Sequence, residues 1–536
     1  MNRHQRRLAA KSGNMRQDFA RVLAAAFAHH QAGRSAEAEA GYRQALTMQP
    51  DHADTLHLLG VLAEQTGRSA VAVETIERAI AINPTNAAFH SNLGNSLRAL
   101  GRFADALAHF DRALTLMPNF ADALSNRGIL LRDLDRLEDS LVDLDRAVTL
   151  NPDQADAWSN RGITLADLGR PRDAVASFDR AIALAPTHVN AHYNRGNGLM
   201  RLLRFEEALA ACDRALAIRP NDLRALFNKA LILLLLGRFE LGLPLYESRW
   251  AVQRLPAPTE RYTLPIWTGQ EDLNGLTILL YAEQGFGDVI QFCRYAAEVK
   301  ARGATTILAV TRELTALLYG MAGVDHLVEL GQETMHFDYH CPLASLPLAC
   351  RTTMETIPGG VPYIKADPYR LPWWRTRLPA GDKPKVGIVW SGSQHLKKHL
   401  GRSIPLTALR PLLDCGVSLI SVQRDILDGD KATLEAMPDI LALGQSFADF
   451  ADTAAVLAQL DLVITIDTSV AHLAGAMGRP TWIMLPFVPD WRWFLDCEDS
   501  PWYPTVRLFR QAEHNDWDGV IARVASALRA FGAGKD

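Results

Sequence analysis

Two short runs in the second half of the chain hold residue types that could do chemistry. Leu460–Ile466 reads as a buried strand that runs straight into Asp467-Thr468-Ser469, with His472 on the turn that follows. Thr468 and Ser469 fall where a helix must begin, so hydroxyls and unpaired backbone N–H groups converge just past a strand end. Such a place suits an anion, and a diphosphate in particular. A capped helix with a packed histidine is the competing account. The other run is Glu283-Gln284-Gly285-Phe286-Gly287-Asp288, again after a strand, with a helix expected from about Val289. Its glycines let the backbone turn sharply and approach a ligand, and Asp288 places a carboxylate at the helix start. A carboxylate there is also a common cap. The run is not a dinucleotide fingerprint, because Ile290 stands where the third glycine of GxGxxG belongs. Between the two runs, Trp390-Ser391-Gly392-Ser393 ends a further strand with small polar residues. Lys397, Lys398 and Arg402 follow and could neutralise phosphate charge, although two lysines in a solvated loop need no ligand.

The elements that must position these residues alternate in kind. Beyond residue 265, apolar runs of strand length (Leu276–Tyr281, Thr305–Val310, Lys385–Trp390, Val417–Gln423, Leu460–Ile466 and Thr481–Leu485) alternate with helical patterns. That is the signature of parallel α/β structure. A stretch at Asp367–Lys383, with three prolines and two tryptophans, divides the region into two Rossmann-like halves, 266–372 and 373–536. Two such halves facing each other form a cleft with the carboxyl ends of both sheets pointing into it. Residues 255–265 read as a linker. Of eleven tryptophans only Trp158 precedes residue 250, so the first half of the chain is built differently.

That first half repeats itself. Pro50, Pro84, Pro118, Pro152, Pro186 and Pro220 are 34 residues apart. Gly60, Gly94, Gly128, Gly162 and Gly196 keep the same period, with Ala230 in the sixth place. Each unit holds two amphipathic helical stretches around a break such as Gly67, Gly101, Gly169 or Gly237. One helical hairpin cannot bury its own apolar face, so units must stack into a superhelix with a groove. The period and its Gly, Ala and Pro places resemble the tetratricopeptide repeat over about residues 17–254, after a basic tail at 1–16. A second ladder, Asn92, Asn126, Asn160, Asn194 and Asn228, runs two residues ahead of the glycine places. These amides either tie neighbouring helices together or line the groove and bind the backbone of an extended polypeptide. The second role is what their similarity to the repeat domain of O-GlcNAc transferase implies. Arg127, Arg161, Arg195 and Lys229, one residue later, are expected to pair with acids between repeats.

Composition bounds the rest. The chain has 536 residues, 48% hydrophobic and 22% charged, with a net charge of −4. These values fit several globular domains and give no electrostatic case for a nucleic-acid binder. No apolar run approaches the roughly 18–20 residues of a membrane span. No apolar signal segment follows the basic N-terminus, so the protein is expected in the cytoplasm. Six scattered cysteines fit buried thiols in a reducing compartment. Neither His336/Asp338/His340/Cys341 nor His395/His399 offers a convincing metal-ligand set, and no metal and no cofactor is expected.

Gly287-Asp288 after the first strand, Arg402-Ser403-Ile404-Pro405 and Asp467-Thr468-Ser469 with His472 together resemble glycosyltransferase family 9, the group that includes the lipopolysaccharide heptosyltransferases. The resemblance covers about residues 262–530. It implies a two-domain glycosyltransferase B fold, a nucleotide-sugar donor held mainly by the second half, and inversion at the sugar carbon. It also implies Asp288 as the base and Arg402 as the residue gripping the donor phosphates. Asp467, Thr468 and Ser469, with Gly287, Ser391 and His472 beside them, would complete the donor site. Trp491-Arg492-Trp493 and Pro501-Trp502-Tyr503 match bacterial repeat-linked members better than true heptosyltransferases. The expectation is an α-solenoid followed by an α/β transferase, whose repeats present a protein or peptide acceptor. The alternatives are transfer to a glycan or lipid-linked acceptor, and a repeat scaffold without catalysis.

Overall fold

The computed structural model describes residues 3–392 and 401–534, with side chains from residue 15 onward. It falls into two compact units, Met1–Glu207 and Ala208–Asp536.

The first unit is a stack of helical hairpins. Its opening helix runs from Arg3 to Gln31, so the basic tail continues into the first repeat helix instead of standing apart from it. Ala, Leu, Arg and Lys are good helix formers, which is why that stretch extends the helix. The hairpins then follow in regular pairs, for example Ala87–Ala99 with Phe103–Leu116 and Ala121–Asp133 with Leu137–Leu150. The periodic glycines have a packing cause. A Cβ on Gly60, Gly94, Gly128 or Gly162 would meet Ile76, Phe110, Leu144 or Phe178 at 2.4–2.8 Å, each on the second helix of the same hairpin. The break residues need left-handed backbone: Gly67, Gly101 and Gly169 have φ of 71–77°, and where glycine is missing Asp135 and Leu203 are held at 59° and 58°. First helices of successive repeats also pack on one another, which places them on the inner side of the stack.

The second unit begins inside the Phe205–Ile218 helix, so it holds the last repeat helices together with the α/β region. The reason is aromatic packing: Phe239, on the last repeat helix, lies 6.0–6.2 Å between ring centroids from Trp491, Phe494 and Trp502 of the α/β region. Among the described residues that region holds ten strands: β1 (Thr277–Tyr281), β2 (Thr305–Val310), β3 (His326–Glu329), β4 (Tyr339–Pro342), β5 (Lys385–Ile388), β6 (Ser418–Ser421), β7 (Ile440–Ala442), β8 (Leu462–Ile466), β9 (Thr481–Leu485) and β10 (Val506–Arg510). They form two sheets, parallel throughout, of order β3-β2-β1-β4 and β10-β9-β8-β5-β6-β7. The core of the larger sheet is Val386, Ile388, Ile464, Ile466, Trp482 and Met484, covered by Val520, Val524 and Leu528 of the last helix. Strand order reverses direction between β1 and β4 in one sheet and between β5 and β8 in the other. Loops leaving the carboxyl ends at such points diverge and open a crevice. Among the described residues, no helix is long and apolar enough to cross a membrane.

Candidate functional site

The residues singled out in the second unit leave the carboxyl ends of β1, β5, β8 and β9. β1 leads through Glu283 into a helix at Phe286–Phe292, three residues earlier than the Val289 start expected. Gly287 and Asp288 therefore sit in its first turn. Neither glycine has positive φ, so the run is no sharp-turn loop made for a ligand. Gly287 serves a closer approach: a Cβ there would lie 2.9 Å from His472 Cδ2 and 3.5 Å from Ser469 Cα. The helix of the first half thus packs on the Ser469–Ala476 helix of the second, and glycine is what lets them meet.

Asp288 lies at the centre of a charged cluster. Its Oδ1 accepts a hydrogen bond of 2.5 Å from Arg492 Nη2, and Arg492 Nη1 reaches Asp490 Oδ1 at 2.8 Å. Arg402 faces Asp467 at 3.3 Å and Asp490 at 3.7 Å. His472 Nε2 lies 4.0 Å from Asp467. Burial pushes the Asp288 carboxyl above its ordinary range, opposed by Arg492, a backbone hydrogen bond from Gly285 and Arg402. Asp467 is likewise pushed up by burial, with Arg402 opposing. Asp490, between two guanidiniums, is held down in spite of its burial.

His472 differs from the sequence expectation. Burial, reinforced by the positive charge of Arg492, drops its imidazole to about 3, so it is neutral and adds no charge to an anion site. Its ring stacks on Trp493 at 5.3 Å and its Nδ1 pairs with the Tyr503 hydroxyl at 2.9 Å. Thr468 is the residue preceding the helix, and its hydroxyl lies 3.2 Å from that of Thr465 instead of capping the helix. Ser391 is buried, its backbone held on both sides by the Gln423 amide, and among the described residues its hydroxyl has no partner. Lys397, Lys398, His395 and His399 lie outside the described residues.

So Gly287, Asp288, Arg402, Asp467, Thr468, Ser469 and His472 come together. Asp490 and Arg492 join them, and sequence reasoning did not give these two a role. Nor did it find the neighbouring buried pair. Arg249 is fully buried, and its Nη2 donates to Glu283 Oε1 at 2.7 Å and to Ser345 Oγ at 2.7 Å. Burial pushes Glu283 up to about 7 against that guanidinium. Among the described residues, no group of three or more His, Cys, Asp or Glu is placed to hold a metal ion.

The asparagine ladder divides. Asn92 Nδ2 lies 2.7 Å from His57 Nε2 of the preceding repeat, so that rung ties helices together. Asn126 reaches Ser91 Oγ at 3.5 Å, the limit of a hydrogen bond. Asn160 and Asn194 are half-buried, and among the described residues their amides have no side-chain partner. Asn228, in the second unit, is buried. The basic residues pair between repeats as expected, Arg127 with Asp111, Arg161 with Asp145, Arg195 with Asp179 and Lys229 with Asp213, all at 2.6 Å.

Tetratricopeptide-repeat family models match residues 23–87, 138–189, 159–222 and 193–256, and a second such model matches 87–120. The N-terminal region is built of tetratricopeptide repeats. A curated relative, protein FlbA of Caulobacter vibrioides, is 30% identical over 321 residues, 54% of this chain and 52% of that protein. The chain thus spans about half the length of the curated relative it matches. Solved repeat proteins are similar over the helical region. A thermophilic repeat protein of Thermus thermophilus is 27% identical over 34% of this chain and 99% of its own, with a TM-score of 0.31. YrrB, a repeat protein with an unusual peptide-binding site, is 25% identical over 35% of this chain and 98% of its own, with a TM-score of 0.29.

Proposed function

We propose that the chain is an inverting glycosyltransferase that uses a nucleotide sugar, and that its repeats present a protein or peptide acceptor. The observation carrying this reading is the placement of Asp288, Arg402, Asp467, Thr468 and Ser469. They stand at the carboxyl ends of β1, β5 and β8, strands that flank the reversal points of the two sheets. Crevices at such points are where open parallel sheets bind nucleotides. Two parallel sheets, each with its own reversal point, are what a glycosyltransferase B fold would supply.

In this reading Asp288 takes the proton from the acceptor hydroxyl as it attacks the anomeric carbon. Arg402, the hydroxyls of Thr468 and Ser469 and the first N–H groups of the Ser469–Ala476 helix stabilise the charge on the departing diphosphate. Neutral His472 packs the helix start against Gly287. Arg402 is one-third exposed and its distances to Asp467 and Asp490 are long for ion pairs, so a phosphate can compete for it. The half-buried amides of Asn160 and Asn194, without a side-chain partner among the described residues, support an extended polypeptide in the groove. The protein would act in the cytoplasm, where nucleotide sugars are made.

The test is thermal unfolding of the full chain with UDP-, GDP-, ADP- and dTDP-sugars. A ligand of the native state at 100 times its Kd adds about 2.7 kcal/mol. One nucleotide series is expected to raise the midpoint. No shift with any of the four, at millimolar concentration, would remove the donor site.

A further inference from the structure

The candidate base does not stand alone, and the group that holds it comes from the other half of the α/β region. Arg492 follows β9, and only 7% of its side chain is exposed. Its Nη2 donates to Asp288 at 2.5 Å, its Nε to Gln291 Oε1 at 2.7 Å and its Nη1 to Asp490 at 2.8 Å. Asp288 and Gln291 are three residues apart on the Phe286–Phe292 helix, so one guanidinium edge reads one face of that helix. The guanidinium lies over the Trp491 ring at 4.5 Å and the Phe292 ring at 5.3 Å. Its backbone N–H is also held by Asp490, at 3.1 Å. A planar fork bonded in three directions and lying over two rings has one orientation available.

We propose that Arg492 is a positioning residue for Asp288, fixing the orientation of that carboxylate across the two halves and supplying its counter-charge. This rests on the reading of Asp288 as the base. An arginine that only clamps two helices would need no acid at the reacting end, and Gln291 alone would serve it. Here the shortest of its bonds goes to the acid. The other groups around Asp288 are Asp490 on the same loop as Arg492, Arg402 after β5 with Asp467 behind it, Glu283 after β1, Tyr246 on the last repeat helix and neutral His472 on the helix facing Gly287. Asp490 raises Asp288 and Arg402 lowers it, and Arg492, which touches it, is the stronger of the two opposing cations. Burial and Asp490 push Asp288 up, and removing Arg492 takes away the largest of the groups that oppose that push, leaving Gly285 and Arg402. The acid form then persists to higher pH, and a base in its acid form accepts no proton.

The experiment uses the full chain as wild type, Arg492→Gln and Arg492→Lys. The rate of nucleotide release from whichever UDP-, GDP-, ADP- or dTDP-sugar is turned over is followed from pH 5 to 9. In Arg492→Gln the acid limb of the profile is expected to move up by about one to three pH units, the range an adjacent opposite charge imposes. Arg492→Lys keeps the charge and loses the fork, so its acid limb stays near that of wild type while the plateau rate falls. An unmoved acid limb in Arg492→Gln would overturn the assignment and leave Arg492 as a clamp between halves. If that variant does not fold, Arg492→Lys decides: a limb displaced upward despite the retained charge overturns it. A double-mutant cycle on unfolding midpoints, with Asp288→Asn and Arg492→Gln at pH 7.5, separates this inference from the reading beneath it. Coupling between the two without turnover of any sugar nucleotide by wild type sinks the transferase reading and the catalytic assignment with it. Turnover without coupling sinks the Arg492 assignment alone.

Discussion

Asp288 is pulled in opposite directions, upward by burial and the neighbouring Asp490, downward by Arg492, Gly285 and Arg402. A carboxylate held in that balance can take a proton and release it again, which a fully exposed one beside a single arginine does less well. Asp288→Asn keeps the shape and can still accept a hydrogen bond from Arg492, so donor binding should persist. Transfer should fall about 10²–10⁴-fold, the contribution of a positioned base. Nucleotide release and donor Kd on the same preparation check this, and unchanged release would reduce Asp288 to a structural residue of the helix start. Asp288, Arg402 and Asp467 were legible in the sequence because each belongs to a short local run after a strand. Arg492 was not, since it lies 204 residues from Asp288 and its neighbours in sequence are aromatic. His472 was legible as a residue but not as a neutral one, because its charge is decided by burial among side chains distant in sequence.

At the scale of elements, two helices meet through Gly287. Gly287→Ala would place a methyl 2.9 Å from His472 Cδ2, and overpacking of this kind costs about 1–3 kcal/mol. Ten of the eleven tryptophans lie beyond residue 249, so denaturation followed by tryptophan fluorescence reports mainly on the unit concerned. The midpoint should drop in Gly287→Ala, and Gly287→Ala/His472→Ala should lose less than the sum of the two single variants. Additive losses would mean that the helices do not meet there. The strands show why some elements were readable. β1, β2, β5, β6, β8 and β9 are interior to their sheets and are mostly buried and apolar, with Lys385, Ser418, Ser421 and threonines confined largely to strand ends. All four strands that the pattern missed, β3, β4, β7 and β10, are edge strands. His326 and Glu329 in β3, His340 and Pro342 in β4 and Arg507 and Arg510 in β10 break the apolar run, and β7 has three residues. An edge needs less apolar surface and gains from charge, which hides it from a hydropathy pattern.

At the scale of the whole chain, the question is what the repeats hold. Their period was legible at once because Pro, Gly and Ala each answer a packing demand that recurs every 34 residues. The asparagine ladder was not resolvable in the same way, since an amide that ties helices and one that waits for a ligand are the same letter. Asn92 is committed to His57, and Asn228 is buried, so neither tests the groove. Asn126, Asn160 and Asn194 do: one has a bond at the limit of length, and among the described residues the other two have no side-chain partner. An extended polypeptide offers amides and carbonyls at regular intervals to all three, whereas a short glycan would reach one or two. Each neutral hydrogen bond contributes about 0.5–1.5 kcal/mol net. Replacing the three together by Ala should therefore weaken acceptor binding by about 1.5–4.5 kcal/mol if the terms add. Stability should change little, because almost no intramolecular bond is lost, and donor Kd should not move. Asn92→Ala supplies the contrast: it breaks a bond between repeats, so it should lower the unfolding midpoint of the array. Acceptor KM, donor Kd and the unfolding midpoint of the triple variant decide the matter together. If acceptor KM is unchanged while the midpoint falls, the whole ladder is structural, and the acceptor is a glycan or lipid-linked sugar that the repeats do not read.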